Sequence, residues 1–223
     1  MLSLSEELLL LALHDEKGSV LFNSSTSLPY GLVGTGLLEL LFQNRIVLKE
    51  KNIECINQTP VGDPILDEML KLIVSSTKIR NVKYWIPKIQ SKVKHIRERL
   101  TDSLVQKGIL RREGHKILGV FPSSRYPTQN PSSEFEIRNR IRNVVLFDHP
   151  PKEREIALIS LIKVCGLINE VFEKNERKKA RQRIKELSKD EVIGKMVSEV
   201  VAQMTAAISA SVTASAAAAS AAN

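Results

Sequence analysis

Cysteine is scarce in this chain: Cys55 and Cys165 are the only two among 223 residues, and no Cys-x-x-Cys spacing occurs. Two such thiols cannot build a disulfide framework, so a reducing, cytoplasmic setting is the expectation. Four histidines (His14, His95, His115 and His149) lack the His-x-x-x-His or His-Cys spacing that gathers a metal, and no metal is expected. Aromatic residues make up 4% of the chain, which disfavours recognition of single strands by base stacking. No Gly-x-Ser-x-Gly elbow and no Walker loop is present. Gly31-Leu-Val-Gly34-Thr-Gly36 reverses the spacing of a dinucleotide fingerprint and reads as packing glycines. Asp63, Asp67 and Glu68 read as helix caps and a solvated first turn rather than catalytic carboxylates. Nothing here argues for an enzyme, and no cofactor is expected. The leucine-rich start, Leu2 to Leu13, carries Glu6 and Glu7 and has no basic region before it, the opposite of a signal peptide, and reads as an amphipathic helix.

What the chain does have is an ordinary globular balance, 43% hydrophobic and 26% charged residues, with a net charge of +8. The charge is unevenly placed. Between Lys78 and Lys116 there are twelve basic residues and three acidic ones, so that segment carries +9 and the rest sums to −1. A concentrated positive face points to a polyanion or an anionic membrane.

Periodicity predicts a mainly α fold with short β-hairpins. Ser3 and Glu6 have capping-box spacing ahead of a helix running to about His14. A short strand follows at 18–22, then a helix through Leu37 to Phe42, and a hairpin from Ile46–Glu50 and Asn52–Ile56. A further helix runs from Ile65 to about Ser75. A long helix is expected from near Pro87 to Gly108, followed by a second hairpin with Glu113-Gly-His115 at its turn and a loop over 122–131. The stretch 154–172 is apolar nearly all round and reads as a central buried helix, with 176–187 as a charged surface helix. Val200 to Asn223 carries no charge and is too weakly apolar for a membrane span; a helical or frayed tail is expected. One domain over 1–195 and an uncharged Ala/Ser-rich tail over 196–223 follow.

Several blocks together resemble one family. These are Glu6-Glu-Leu-Leu-Leu-Leu-Ala-Leu-His-Asp-Glu-Lys-Gly18, Pro60-Val-Gly-Asp-Pro-Ile-Leu-Asp-Glu-Met-Leu-Lys71, Tyr84-Trp-Ile, Ile96-Arg-Glu-Arg-Leu100, Leu104-Val-Gln-Lys-Gly-Ile-Leu110 and Glu155-Ile-Ala-Leu-Ile-Ser-Leu-Ile162. In this order they resemble the Golgi phosphoprotein 3 family, whose eukaryotic members bind phosphatidylinositol 4-phosphate. The resemblance covers roughly residues 3 to 190 and implies a central buried helical core ringed by amphipathic helices, with a projecting hairpin. It also implies a shallow basic pocket for the lipid headgroup. Carried over residue by residue, a basic pair three apart on one helix falls on Lys94 and Arg97. The pocket aromatic falls on Phe22 where the family has tryptophan, and the loop arginine falls at Val33, with Tyr30 as a substitute at the pocket margin. The family hairpin, used for oligomerisation and membrane contact, corresponds to Glu113 to Ser124, with Ile117, Leu118, Val120 and Phe121 as its apolar edge. The chain begins at the domain without the family's polar leader, so coat and glycosyltransferase-sorting roles are not carried over, and the layout suits a prokaryotic homologue.

The expectation is a peripheral membrane protein that binds anionic phospholipid headgroups and forms a homo-oligomer through its hairpin. Two alternatives stay open. The helix-then-hairpin units also suit a winged-helix-like nucleic-acid binder that uses duplex phosphates. A scaffold whose basic face meets an acidic protein fits the same charge pattern.

Overall fold

The computed structural model describes residues 1–117, 121–187 and 195–221. Two apolar helices form its centre. The first, α1 (Leu4–Leu11), starts at the expected capping box: the Ser3 hydroxyl accepts the Glu6 amide at 3.2 Å, and the Glu6 carboxylate accepts the Ser3 amide at 2.8 Å. The sequence predicts an amphipathic helix here. In the fold every residue of α1 is buried, the two glutamates included. Its partner, α2 (Leu28–Phe42), is joined to it by a 2.6 Å hydrogen bond between the Ser5 and Thr35 hydroxyls. The glycines of α2 are packing glycines, as expected. A Cβ at Gly31 would stand 2.5 Å from the Cys165 sulfur, one at Gly34 3.1 Å from Ile208, and one at Gly36 2.7 Å from Met69. Three other segments therefore reach the backbone of one helix.

Around this pair lie β1 (Ile46–Lys49) and β2 (Asn52–Cys55), the predicted hairpin, paired in register from Ile46 against Cys55 to Lys49 against Asn52. A two-residue β3 (Arg80–Asn81) adds to β2. Asp63 caps α3 (Pro64–Val74) through the amides of Ile65 and Leu66, the role expected from the sequence. The single long helix expected between Pro87 and Gly108 is instead two: α4 (Val82–Lys92), with Pro87 inside it, and α5 (Ile96–Gln106). After α5 a hairpin forms from β4 (Glu113–Ile117) and β5 (Phe121–Arg125), with Ile117 opposite Phe121. Its strands lie further along the chain than the pattern predicts: residues 113–115 lie inside the first strand. Leu118 and Val120 lie outside the described residues.

An element that the periodicity does not mark is α6 (Ser132–Leu146), which buries Ile137, Ile141, Val144 and Val145. The central apolar helix holds over α7 (Glu153–Val164), where Ile156 to Ile162 are all buried. It does not run on to Phe172: Gly166, at φ 74, turns the chain into a one-turn α8 (Ile168–Val171). The charged α9 (Arg177–Leu187) follows, and α10 (Lys195–Ala221) ends the described chain. By length and composition Val201–Ser220 could cross a bilayer. Its Val201, Met204, Ala207 and Ile208 are nonetheless buried, and the helix packs on α2, α4 and α7.

The expected strand at 18–22 reduces to one bridge, Leu13 to Val20, and a 3-10 turn at Phe22–Ser24. Ser24, Ser25 and Ser27 each turn a hydroxyl onto the carbonyl three residues earlier, which offers the backbone an alternative to strand pairing. Just before it, Gly18 sits at φ 58, against the Tyr126 backbone at the foot of β5, and the Thr128 amide donates to the Asp15 carbonyl at 2.9 Å.

Three carboxylates buried on the central pair tie the outer helices to it. Glu39 on α2 accepts two nitrogens of Arg154 from α7, at 2.7 and 2.9 Å, and also the Leu4 amide at 2.7 Å. Glu7 accepts Arg140 from α6 at 2.7 Å. Glu6 accepts Ser103 at 2.8 Å and Lys107, both from α5 or its end. Burial pushes the Glu6 carboxyl up, but these partners and the Ser3 amide bring it below its ordinary value.

Removing one partner of a buried pair strands the other. Arg154→Ala leaves Glu39 uncompensated inside the fold and should cost about 3 kcal/mol in denaturant unfolding. Glu39→Gln should cost less, because Arg154 keeps a third of its side-chain surface in solvent; the reverse order would contradict this account. A Cβ at Gly18 would lie 2.1 Å from the Tyr126 carbonyl carbon. Gly18→Ala should cost about 2 kcal/mol, seen as a fall in Tm of about 5 °C, and an unchanged Tm would contradict the clamp.

Candidate functional site

The interruption between α4 and α5 creates the site. Val93 is extended, and His95 adopts a left-handed φ of 56, where a non-glycine residue costs about 1 kcal/mol or more. The turn opens the first turn of α5 towards the start of α2. A cavity of about 230 Å³ lies between them. Val20, Ser25, Leu28, Pro29 and Leu32 line one side; Gln90, Val93, His95, Ile96, Arg97 and Glu98 line the other. Leu28, Leu32, Val93 and Ile96 are buried and give an apolar base. Ser25, Gln90, His95, Arg97 and Glu98 supply the polar groups.

The electrostatics at the α5 end are local. No side chain caps the helix from His95, and the first backbone bond of the helix is Arg99 to the His95 carbonyl, at 2.9 Å. The Arg97 guanidinium donates to Glu98 at 2.7 Å, with both side chains about half exposed. Partial desolvation pushes the Glu98 carboxyl up; its own backbone amide, Arg97 and nearby His95 outweigh this and hold it below its ordinary value.

Of the residues carried over from the resemblance, Arg97 lines the cavity. Lys94 does not: it lies in the interruption, exposed, with its ammonium donating to the Ser91 carbonyl at 2.6 Å. The helix face that was to carry both side chains three residues apart does not exist, because α5 begins only at Ile96. Phe22 opens the 3-10 turn and is 91% exposed. It touches the site through its carbonyl, which accepts the hydroxyl of the lining residue Ser25 at 2.8 Å. Tyr30 is half-buried on α2 and Val33 is fully buried in the core. Neither lines the cavity. Ile117 and Phe121 are backbone partners in the hairpin.

The sequence reading missed Ser25, Gln90, His95 and Glu98. Glu98 stood in the Ile-Arg-Glu-Arg block without a role, and no glycine or proline marked the interruption that exposes it.

The +9 segment is also less free than its composition implies. Arg99 pairs with Glu68, Lys107 with Glu6, Arg111 with Glu113 and Arg112 with Asp102, while Arg80 stacks on Tyr84 with its guanidinium 4.8 Å from the ring centre. Among the described residues, Lys83, Lys88 and Lys92 on α4 and Lys94 just after it have no carboxylate partner, and none of the four lines the cavity. A second basic helix, α9, was not singled out by the charge count. Two of its cations cap neighbouring chain ends: Arg177 donates to the carbonyls of Phe172 and Asn169, and Lys179 to that of Leu146.

Comparison with known proteins bears on what this arrangement is. Residues 4–204 match the family described as Golgi phosphoprotein 3 (GPP34). A vacuolar protein sorting-associated protein 74 of Schizosaccharomyces pombe is 32% identical over 165 residues, 65% of this chain and 48% of the relative. The protein of the same name from Eremothecium gossypii is 31% identical over 165 residues, 65% of this chain and 49% of the relative. The chain thus spans about half the length of the curated relatives it matches. With the match running through the central pair, the α4–α5 interruption and the hairpin, the chain belongs to the Golgi phosphoprotein 3 family.

Proposed function

We propose that this protein is a peripheral membrane protein of the cytoplasm that binds the phosphate of an anionic phospholipid headgroup, of the phosphatidylinositol 4-phosphate type, at the α4–α5 cavity. The observation that carries the reading is the cavity itself. Its wall holds Arg97 and the first turn of a helix, whose amides and dipole favour an anion, above an apolar base. Lys92 and Lys94 flank the lining residue Val93 in the chain and have no carboxylate partners among the described residues. Arg97 offers a forked donor to phosphate, and Lys94 adds a point charge once its flexible side chain leaves the Ser91 carbonyl. The exposed ring of Phe22, two residues beyond the lining residue Val20, supplies an apolar contact where a headgroup meets the acyl region. Family membership supports the same reading, through the lipid binding that the resemblance implies.

Each cation near an anionic surface contributes about 1 kcal/mol. Four or five acting together give about 4–5 kcal/mol, a reversible attachment of roughly millimolar class, and a second contact strengthens it. The β4–β5 hairpin is that second contact in this reading, and a site of self-association as well.

Vesicle flotation tests the proposal. The protein should float with phosphatidylcholine vesicles containing phosphatidylinositol 4-phosphate and not with phosphatidylcholine alone. Lys94→Ala/Arg97→Ala should lower the bound fraction at least tenfold while leaving Tm nearly unchanged, because both side chains are exposed. A double variant that floats as well as the parent sinks the assignment to this cavity.

A further inference from the structure

Two acceptors already occupy the cations expected to read a phosphate: Arg97 gives its guanidinium to Glu98, and Lys94 gives its ammonium to the Ser91 carbonyl. The Glu98 carboxylate is the more telling of the two. It lies in the cavity wall, one residue beyond Arg97 and in the first turn of α5. There it accepts Arg97 at 2.7 Å. This is the donor that an incoming anion would need. Arg99, next along the helix, is paired with Glu68 on α3, and the helix has no side-chain cap from His95. A carboxylate of this chain thus sits where an external oxyanion would bind.

We propose that Glu98 is a specificity-determining residue, a resident carboxylate that a ligand's phosphate must displace from Arg97, so that the site accepts phosphomonoesters and rejects phosphodiesters. The proposal rests on the headgroup reading above. A phosphodiester brings one negative charge and two free oxygens, no more than the tethered carboxylate already provides. The tethered group also loses less freedom on binding than a ligand arriving from solution. A phosphomonoester brings a charge of about −1.5 to −2 and three acceptor oxygens, enough to engage Arg97 and the α5 amides together and to draw in Lys94. Displaced, Glu98 is free to swing into solvent, since its side chain is already 49% exposed. The carboxylate therefore sets a threshold of charge and acceptor number, rather than adding affinity.

Vesicles of phosphatidylcholine carrying either phosphatidylinositol, a diester, or phosphatidylinositol 4-phosphate, which adds a monoester, separate the two chemistries. Surface charge is matched between them with phosphatidylglycerol. The wild-type chain should be retained on the monoester vesicles and lost from the diester ones. Glu98→Gln should raise diester binding roughly tenfold and narrow the ratio between the two lipids. Glu98→Asp, which keeps the charge, should hold the ratio near that of the parent. An unchanged ratio in Glu98→Gln, or an equal gain on both lipids, overturns the role given to Glu98 and leaves the headgroup site standing. Wild-type protein that binds neither vesicle above the neutral control overturns the headgroup site itself. Inorganic phosphate, added at the concentration of accessible headgroup, should leave the wild-type chain on the monoester vesicles; release there overturns a lipid as the source of the phosphate.

Discussion

Glu39 holds Arg154 and the Leu4 amide, Glu7 holds Arg140, and Glu6 holds Lys107 and Ser103, all from inside the α1–α2 pair. An uncompensated carboxylate at these depths is far costlier than an apolar side chain, so each outer helix has only one seating that satisfies its partner. α5, α6 and α7 are fixed in this way against helices whose own surfaces, being apolar nearly all round, would otherwise allow them to slide. The cavity inherits this precision. α5 is pinned at its far end by Ser103 and Lys107, and α2 is pinned by Glu39. The distance between the first turn of α5 and the start of α2 is therefore set by ion pairs well away from the cavity.

The positive segment divides between these structural tasks and a free remainder. Lys107 and Arg99 are spent inside the fold or across to α3, whereas the lysines of α4 keep their charge for solvent or a partner. A charge count cannot make this division, because it depends on which helix lies opposite. The same holds for α9, whose six cations look like a binding surface in sequence. In the fold, Arg177 closes the end of α8 and Lys179 that of α6.

Much of the architecture was legible where a local physical rule decided the outcome. The Ser3–Glu6 box, the Asp63 cap, the first hairpin and the apolar run of α7 each followed from short-range chemistry. The burial of α1 on all sides was not, since Glu6 and Glu7 imply a wet face until their partners on α5 and α6 are known. The α4–α5 interruption was equally hidden. Val93, Lys94 and His95 carry no helix-breaking residue, and the apolar spacing of Val93, Ile96 and Leu100 continues through it; tertiary packing overrides local preference there. Pro87, of the residue type that commonly ends a helix, is instead accommodated inside α4. The resemblance led to Arg97 and to the hairpin, but it located a pocket margin at Val33, a position the α2 helix turns into the core.

The central claim is that phosphate is read at the α4–α5 cavity rather than by basic charge in general. Amide chemical-shift mapping during titration with a soluble short-chain phosphatidylinositol 4-phosphate tests it most directly. The account predicts shifts concentrated at Ser25, Gln90, His95, Arg97 and Glu98, saturating together. Shifts centred on Lys178 to Lys185 of α9, with those five resonances unmoved, would contradict it.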